Sequence, residues 1–302
     1  MHPHNPPVIR FPRMHRAFLR VLVLPAVLAI GFGSSALAQQ NVPATPDAPP
    51  QINTPADAPL NPRLPTVFIV GDSTARNGVD LGWGDHFAAL FDTSRVNIAN
   101  RARAGRSSRT YFNEGLWDHV LAEIKPGDFV LIQMGHNDGA GTPDSLRNDP
   151  KARGSLKGIG EETVDLPIKT PFTTGPLTGK TTETVHTYGW YLRRYIADTR
   201  AKGATPILLT PTIRNIWNDG HIERDMGFRD YENQISAAQH VPVADMATLE
   251  ANRLETLGPE KTALLFPKDH THTSAEGAER NAADVVAALQ AIKSPIAAYL
   301  KP

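Results

Sequence analysis

The 302-residue chain contains no cysteine. That absence excludes disulfides, a thiol nucleophile, a thiolate metal site and a lipid-bearing amino-terminal cysteine, so the core has to hold itself by burial. Neither sign of charge is in excess, because 31 Lys and Arg meet 31 Asp and Glu. Nucleic acid is therefore not an expected partner, since counterion release needs a basic surface. Long hydrophobic runs are scarce too. The apolar run from Val21 to Phe32 is shorter than the ~20 residues of a membrane-spanning helix. Arg10, Arg13, Arg16 and Arg20 precede it, and Ala36-Leu37-Ala38 follows. Basic, apolar, then small is the layout of a secretory signal peptide, here residues 1–38, cleaved after Ala38. The expected location is periplasmic or extracellular, with a start at Met1 or at Met14. Residues 39–65 are rich in Pro, Ala, Asp and Asn without apolar periodicity, and are expected to form a disordered spacer. That leaves 66–302 as one folded domain.

Within the domain, short β-branched or apolar runs alternate with helical stretches. Strands are expected at Thr66 to Val70, Arg95 to Ala99, Asp128 to Met134, Pro206 to Leu209 and Val241 to Ala244. Helices are expected at Gly82 to Phe91, Leu116 to Ile124, Tyr188 to Lys202, Phe228 to Gln239, Ala247 to Leu257 and Ala275 to Ile292. Between Asp138 and Glu183 the periodicity fails, and a long stretch rich in Gly, Pro and Thr is expected to lack regular structure. The alternation predicts an α/β fold: a three-layer αβα sandwich around a five-stranded parallel sheet in the flavodoxin-like order 2-1-3-4-5. Ligands of such sheets bind beyond the carboxyl ends of the strands, near the switch point.

The loops at those ends carry the polar residues. Gly71-Asp72-Ser73-Thr74 follows the first strand, Asn100 to Arg109 the second, and Gly135-His136-Asn137-Asp138 the third; Asp269-His270-Thr271-His272 stands before the last helix. Ser73 could attack an ester carbonyl if a base takes its proton. Taken alone, a serine in such a loop is more commonly a helix cap. The nucleophile-elbow pattern does not fit, because Ala75 stands where its second glycine would be. Asp269 and His272 are spaced so that a carboxylate could orient an imidazole, although His270 and His272 could also hold a metal. Gly105 could offer a backbone N–H at close range, and Asn137 a side-chain N–H, to a developing oxyanion; either could equally serve a turn or a cap. Ser73, Gly105 and Asn137 each fall just past a strand, which would set them side by side in the order 2-1-3.

These residues together resemble the SGNH (GDSL-like) hydrolases, and within them the rhamnogalacturonan acetylesterase family. The likeness runs through Gly71-Asp72-Ser73-Thr74, Gly105-Arg106-Ser107-Ser108-Arg109-Thr110-Tyr111, Gly135-His136-Asn137-Asp138-Gly139, Phe266-Pro267, Asp269 to Ser274 and Gly277-Ala278. It implies Ser73 as nucleophile, Asp269 and His272 as the rest of a triad, and Ser73, Gly105 and Asn137 as the oxyanion hole. It also implies an acetylated polysaccharide as substrate partner and no metal or organic cofactor. The segment Gly139 to Val185 departs from the family pattern. Arg101, Arg103, Arg106 and Arg109 crowd the second loop. Any of them could pair with a uronate carboxylate or with a carboxylate of the protein itself, and Arg106 could brace the oxyanion loop from behind. Trp217 could stack on a sugar ring or pack at the rim. Other acetylated polysaccharides, small acyl esters and a non-catalytic carbohydrate-binding role are the rival readings. The sequence does not set the oligomeric state.

Overall fold

The computed structural model describes residues 59–139, 141–149 and 152–302. The expected signal peptide and the spacer up to residue 58 lie outside the described residues. The strands are β1 (Thr66–Val70), β2 (Asn97–Asn100), β3 (Phe129–Ile132), β4 (Thr163–Pro167), β5 (Thr182–His186), β6 (Thr205–Leu209), β7 (Trp217–Asn218), β8 (His221–Ile222) and β9 (Val243–Ala244). The α-helices are α1 (Trp83–Phe87), α2 (Ser108–Asn113), α3 (Leu116–Glu123), α4 (Pro143–Asn148), α5 (Tyr188–Ala201), α6 (Arg229–Gln239), α7 (Met246–Leu257), α8 (Pro259–Leu265) and α9 (Ala275–Ala291).

One sheet has the order β2-β1-β3-β6-β9, with every pair parallel. Counted among its own strands, that is the expected 2-1-3-4-5. Successive strand residues point to opposite faces, and both faces are apolar. Val67, Ile69, Leu131, Ile207 and Leu209 pack with Trp83 and Phe87 of α1 and Val285 and Leu289 of α9. Phe68, Val70, Val130, Ile132 and Leu208 pack on the other face with Tyr111, Trp117, Tyr191, Tyr195 and Ile235 of α2, α3, α5 and α6. The sheet is thus buried on both sides, as parallel sheets with crossover helices are. Truncating one of these residues, Leu131→Ala for example, removes ~2–5 kcal/mol of stability through lost burial and the cavity left behind.

Helix α5 shows how sequence becomes layer. Tyr188, Tyr191, Leu192, Tyr195, Ile196 and Thr199 are buried at the three- and four-residue spacing of one helical face. Thr187 caps it by accepting the N–H of Trp190. Helix α9 is capped by Ser274, which accepts the N–H of Gly277.

Two expectations need correction. The spacer was read to run through Pro65, but residues 59–65 lie against the sheet. The Asn97 side chain accepts the Asn61 N–H at 3.0 Å and donates to the Asn61 carbonyl at 2.9 Å, and Leu60 packs partly on the core. The stretch from Asp138 to Glu183 was read as irregular, but it carries α4 and, with the residues just beyond it, the antiparallel hairpin β4–β5. Its small core of Leu146, Leu156, Val164, Leu166 and Val185 is too sparse in sequence to show as a run.

Candidate active site

The carboxyl end of β1 turns at Gly71, where a Cβ would lie 3.1 Å from the Gln133 carbonyl and 3.2 Å from the Ala75 Cβ. Glycine therefore lets the turn lie back against the end of β3. Asp72 Oδ1 accepts the Thr74 N–H at 2.8 Å, an Asx-type turn that holds the residue between them. That residue is Ser73, which is 7% exposed. Asp72 itself is fully buried, and burial raises its carboxyl pKa against the lowering effect of Thr74.

The loop before α9 brings the imidazole. His272 Nε2 lies 2.9 Å from Ser73 Oγ, and His272 Nδ1 lies 2.8 Å from Asp269 Oδ2. Asp269 Oδ1 accepts the backbone N–H groups of Thr271 at 2.7 Å and His272 at 2.8 Å. Burial pushes the Asp269 carboxyl up, but its bonds to the His272 ring and to the two N–H groups outweigh that and hold it well below the usual carboxylate range. An ionised carboxylate only accepts, so Nδ1 carries the proton and Nε2 presents its lone pair to the serine hydroxyl. The loop is tied down from the side, because the Asn215 N–H donates to the His270 carbonyl at 2.8 Å. His270 itself is exposed.

Three donors were expected to serve an oxyanion here. The backbone N–H groups of Ser73 and Gly105 meet no acceptor among the described residues. Gly105 has φ +77°, a conformation glycine adopts without a Cβ penalty. Its carbonyl is pulled the other way, accepting from Arg153 Nη1 at 2.9 Å. Asn137 Nδ2 donates to the Arg106 carbonyl at 3.2 Å, which uses one of its two amide hydrogens. The neighbouring His136 is half-buried, with Nε2 2.8 Å from Thr212 Oγ1. Burial first, then the charges of Arg214 and His272, depress its pKa to about 3. His136 is therefore a neutral ring at working pH, and the ring that meets Ser73 is that of His272.

Behind the donors lies Asp138, buried and hydrogen-bonded by the Ser108 N–H at 3.1 Å, the Ser108 hydroxyl at 2.5 Å and the Ser155 hydroxyl at 3.0 Å. Burial raises its pKa to about 6 in spite of those bonds. Ser107 caps α2 by accepting the Thr110 N–H, and its hydroxyl donates to the Arg153 carbonyl at 2.5 Å. Residues 153–155 of the inserted stretch thus press on the back of the Gly105 loop. Sequence reading quoted Asp138 only as part of a motif and assigned nothing to 153–155. The pairing of Ser107 with Thr110 was the available signal for α2.

The arginines are mostly spoken for. Arg101 pairs with Glu123 at 2.7 Å. Arg106 pairs with Glu114 at 2.8 Å and donates to the Ala104 carbonyl, so it braces its own loop. Arg109, expected as a substrate contact, is 6% exposed. It meets both oxygens of Glu183 and the Gly154 carbonyl. A guanidinium so engaged clamps β5 to α2 and has no fork left for an incoming carboxylate. Trp217 is half-buried. Its indole N–H donates to Asn215 Oδ1 at 2.8 Å, and it packs partly against a core containing Ile213 and Ile222.

A hydroxyl, an imidazole and a carboxylate joined by hydrogen bonds in line is an arrangement able to perform acyl transfer. Residues 69–280 match the model of the GDSL-like lipase/acylhydrolase family. The chain belongs to that family. It is 32% identical to the rhamnogalacturonan acetylesterase of Emericella nidulans over 216 residues, which is 70% of this chain and 79% of that one. It is 29% identical to the probable rhamnogalacturonan acetylesterase YesY of Bacillus subtilis over 242 residues, 76% of this chain and 94% of that one. The crystal structure of the protein YxiM from Bacillus subtilis aligns with a TM-score of 0.57 at 23% identity, over 76% of this chain and 56% of that one. The chain thus spans just over half the length of YxiM, and that likeness is one of fold. This GDSL-like protein is a carboxylic ester hydrolase.

Proposed function

We propose that this ester hydrolase is a serine acetylesterase that removes acetyl groups from an acetylated pectic polysaccharide, rhamnogalacturonan, outside the cytoplasm. The observation that carries the chemistry is the line Ser73 Oγ, His272 and Asp269, joined at 2.9 and 2.8 Å. The names of the relatives in Emericella nidulans and Bacillus subtilis support the substrate. The basic, apolar and small residues ahead of residue 39 support the location.

His272 takes the Ser73 proton as Oγ attacks the acetyl carbonyl. The tetrahedral oxyanion receives hydrogen bonds from the N–H groups of Ser73 and Gly105 and from the Asn137 amide. His272 then gives its proton to the departing sugar oxygen, and an acetyl group remains on Ser73. Water repeats the sequence with His272 as base and releases acetate. Asp269 keeps the proton on Nδ1 throughout and stabilises the imidazolium.

The test is acetate release from acetylated rhamnogalacturonan, with Ser73→Ala as the control. Acetate at rates well above that control is expected. Release from acetylated xylan, with none from rhamnogalacturonan, would move the substrate while leaving the chemistry. Full activity in Ser73→Ala would overturn both.

A further inference from the structure

The inserted stretch builds a second concavity, separate from the line of Ser73, His272 and Asp269. It is a cavity of about 210 Å³, smaller than the ~300 Å³ at which pockets for drug-sized ligands begin. It therefore suits one ring-sized group. Its buried floor is Leu146, Leu166 and the Arg109–Glu183 pair, which cancels its own charge. Phe172, half-buried, forms an aromatic wall.

The rim carries one cation without a carboxylate partner. Lys169 is exposed and has no carboxylate partner among the described residues. Arg147 faces only the solvent-exposed Asp144, at 3.4 Å. Among the described residues Asp149 is the one other carboxylate on the lining, so with Asp144 the cations and carboxylates are equal in number, and Lys169 is the cation that stands without a carboxylate partner. An aromatic wall, an apolar floor and one exposed ammonium fit a ring with one negative charge on its edge.

The position also matters. Arg109, on the cavity floor, is four residues after Gly105, so the two Cα atoms are at most ~15 Å apart. Arg153 and Gly154 bridge them, with Arg153 Nη1 on the Gly105 carbonyl and the Gly154 carbonyl on Arg109 Nη1, each at 2.9 Å. With Gly105 as an oxyanion donor to a residue held at Ser73, a polymer would have other residues within reach of this floor.

We infer that this cavity is a subsite for a uronate residue of the polysaccharide chain, seated on Phe172 with its carboxylate at Lys169. This rests on the acetylesterase reading, in which the substrate is an acidic polymer. The probe is a linear oligogalacturonate, titrated calorimetrically into the full chain carrying Ser73→Ala, with the reduced, neutral oligomer as comparison. The charged oligomer binds, the neutral one binds at least fivefold more weakly, and added salt narrows the gap. On the Ser73→Ala background, Lys169→Ala weakens binding about threefold to fivefold, as loss of an exposed ion pair does, and Phe172→Ala about tenfold. Failure of the charged oligomer to bind overturns the subsite. So does equal binding of both oligomers, or full affinity in both variants. Because this readout needs no acetate release, it is separate from the test of the reaction: a chain that binds the oligomer but frees no acetate retains the subsite and loses the activity.

Discussion

Asp269→Asn is the substitution whose outcome depends most directly on the geometry. In the native loop one carboxylate oxygen accepts two backbone N–H groups and the other accepts His272 Nδ1–H. An asparagine has one acceptor and one donor for those two places. If its oxygen stays on the backbone N–H groups, its amide faces Nδ1, which must then accept. The ring proton moves to Nε2 and points at Ser73, leaving no base. If the amide flips, the ring keeps the right tautomer, but the N–H groups of Thr271 and His272 lose their acceptor. Each lost bond is worth ~1–2 kcal/mol, so the flipped state lies ~2–4 kcal/mol up, or about 30- to 1,000-fold in rate. Where the triad carboxylate is buried, the same substitution lowers kcat by ~10⁴. Here the Asp269 side chain is 43% exposed, water can rescue the freed N–H groups, and the flipped route prevails. A fall in kcat of roughly 10²–10³ is expected on a small aryl acetate at pH 8, with KM and melting temperature close to native. Retention of more than about a tenth of native kcat would refute the assignment of His272 as a base steered by Asp269.

Asn137→Ala removes one of three oxyanion donors and should lower kcat by ~10²–10³, with thermal melting unchanged; full activity on an acetyl ester would remove Asn137 from the mechanism. Arg109→Ala leaves the Glu183 carboxylate buried without its cation, which destabilises by ~3–5 kcal/mol and lowers Tm by roughly 10 °C in a domain of this size; calorimetry of Arg109→Met with Glu183→Leu should recover most of the loss, and an unshifted Arg109→Ala would show that the clamp contributes nothing. Glu250 is buried, and that burial lifts its pKa from 4.5 to about 7 in spite of the Ile213 N–H and Arg253. Between those values the folded chain holds a proton that the unfolded chain has lost, so this residue makes stability fall as pH rises from 4.5 to about 7, by a few kcal/mol. Glu250→Gln should therefore flatten the native dependence of Tm across that window, and identical profiles would refute the shift.

The sheet was legible because each buried strand is a compact apolar run, and both its order and its helices follow from strict alternation. Ser73, Asp269 and His272, which the structure brings within hydrogen-bond distance, were legible for a different reason: each sits where a strand end or a final helix must place a loop. What escaped notice was short or sparse. The β7–β8 hairpin has two residues per strand, although Asp219-Gly220, both at positive φ, form its turn, and that pair is a strong hairpin signal. Strand β4 alternates strictly, but with only Val164 and Leu166 facing inward. Helix α4 announced itself only through Thr142, Pro143 and Ser145, a cap and a first-turn proline. Arg109 misled because a guanidinium next to a cleft reads the same whether its carboxylate comes from a ligand or from Glu183, a contact 74 residues away in the chain.

A parallel sheet by itself positions the site only coarsely. Neighbouring strand ends lie ~4.8 Å apart, whereas catalytic groups have to be held within ~0.5 Å. The finer adjustment comes from buried polar contacts that cross between loops. Asp138 follows Asn137 directly and grips Ser108, three residues beyond Gly105, through both its N–H and its hydroxyl. Two of the three proposed oxyanion donors are thereby fixed relative to each other by one carboxylate. The same carboxylate accepts the Ser155 hydroxyl, and the Gly105 carbonyl accepts from Arg153, so the inserted stretch is fastened to the back of the oxyanion loop. Unpaired, a buried anion there would oppose the negative charge that develops on the substrate. Three hydrogen bonds, one shortened to 2.5 Å, disperse its charge. The insertion that carries the proposed uronate subsite is therefore also part of what positions Gly105, and a substrate residue seated there would press on the wall that holds the proposed oxyanion donors in place.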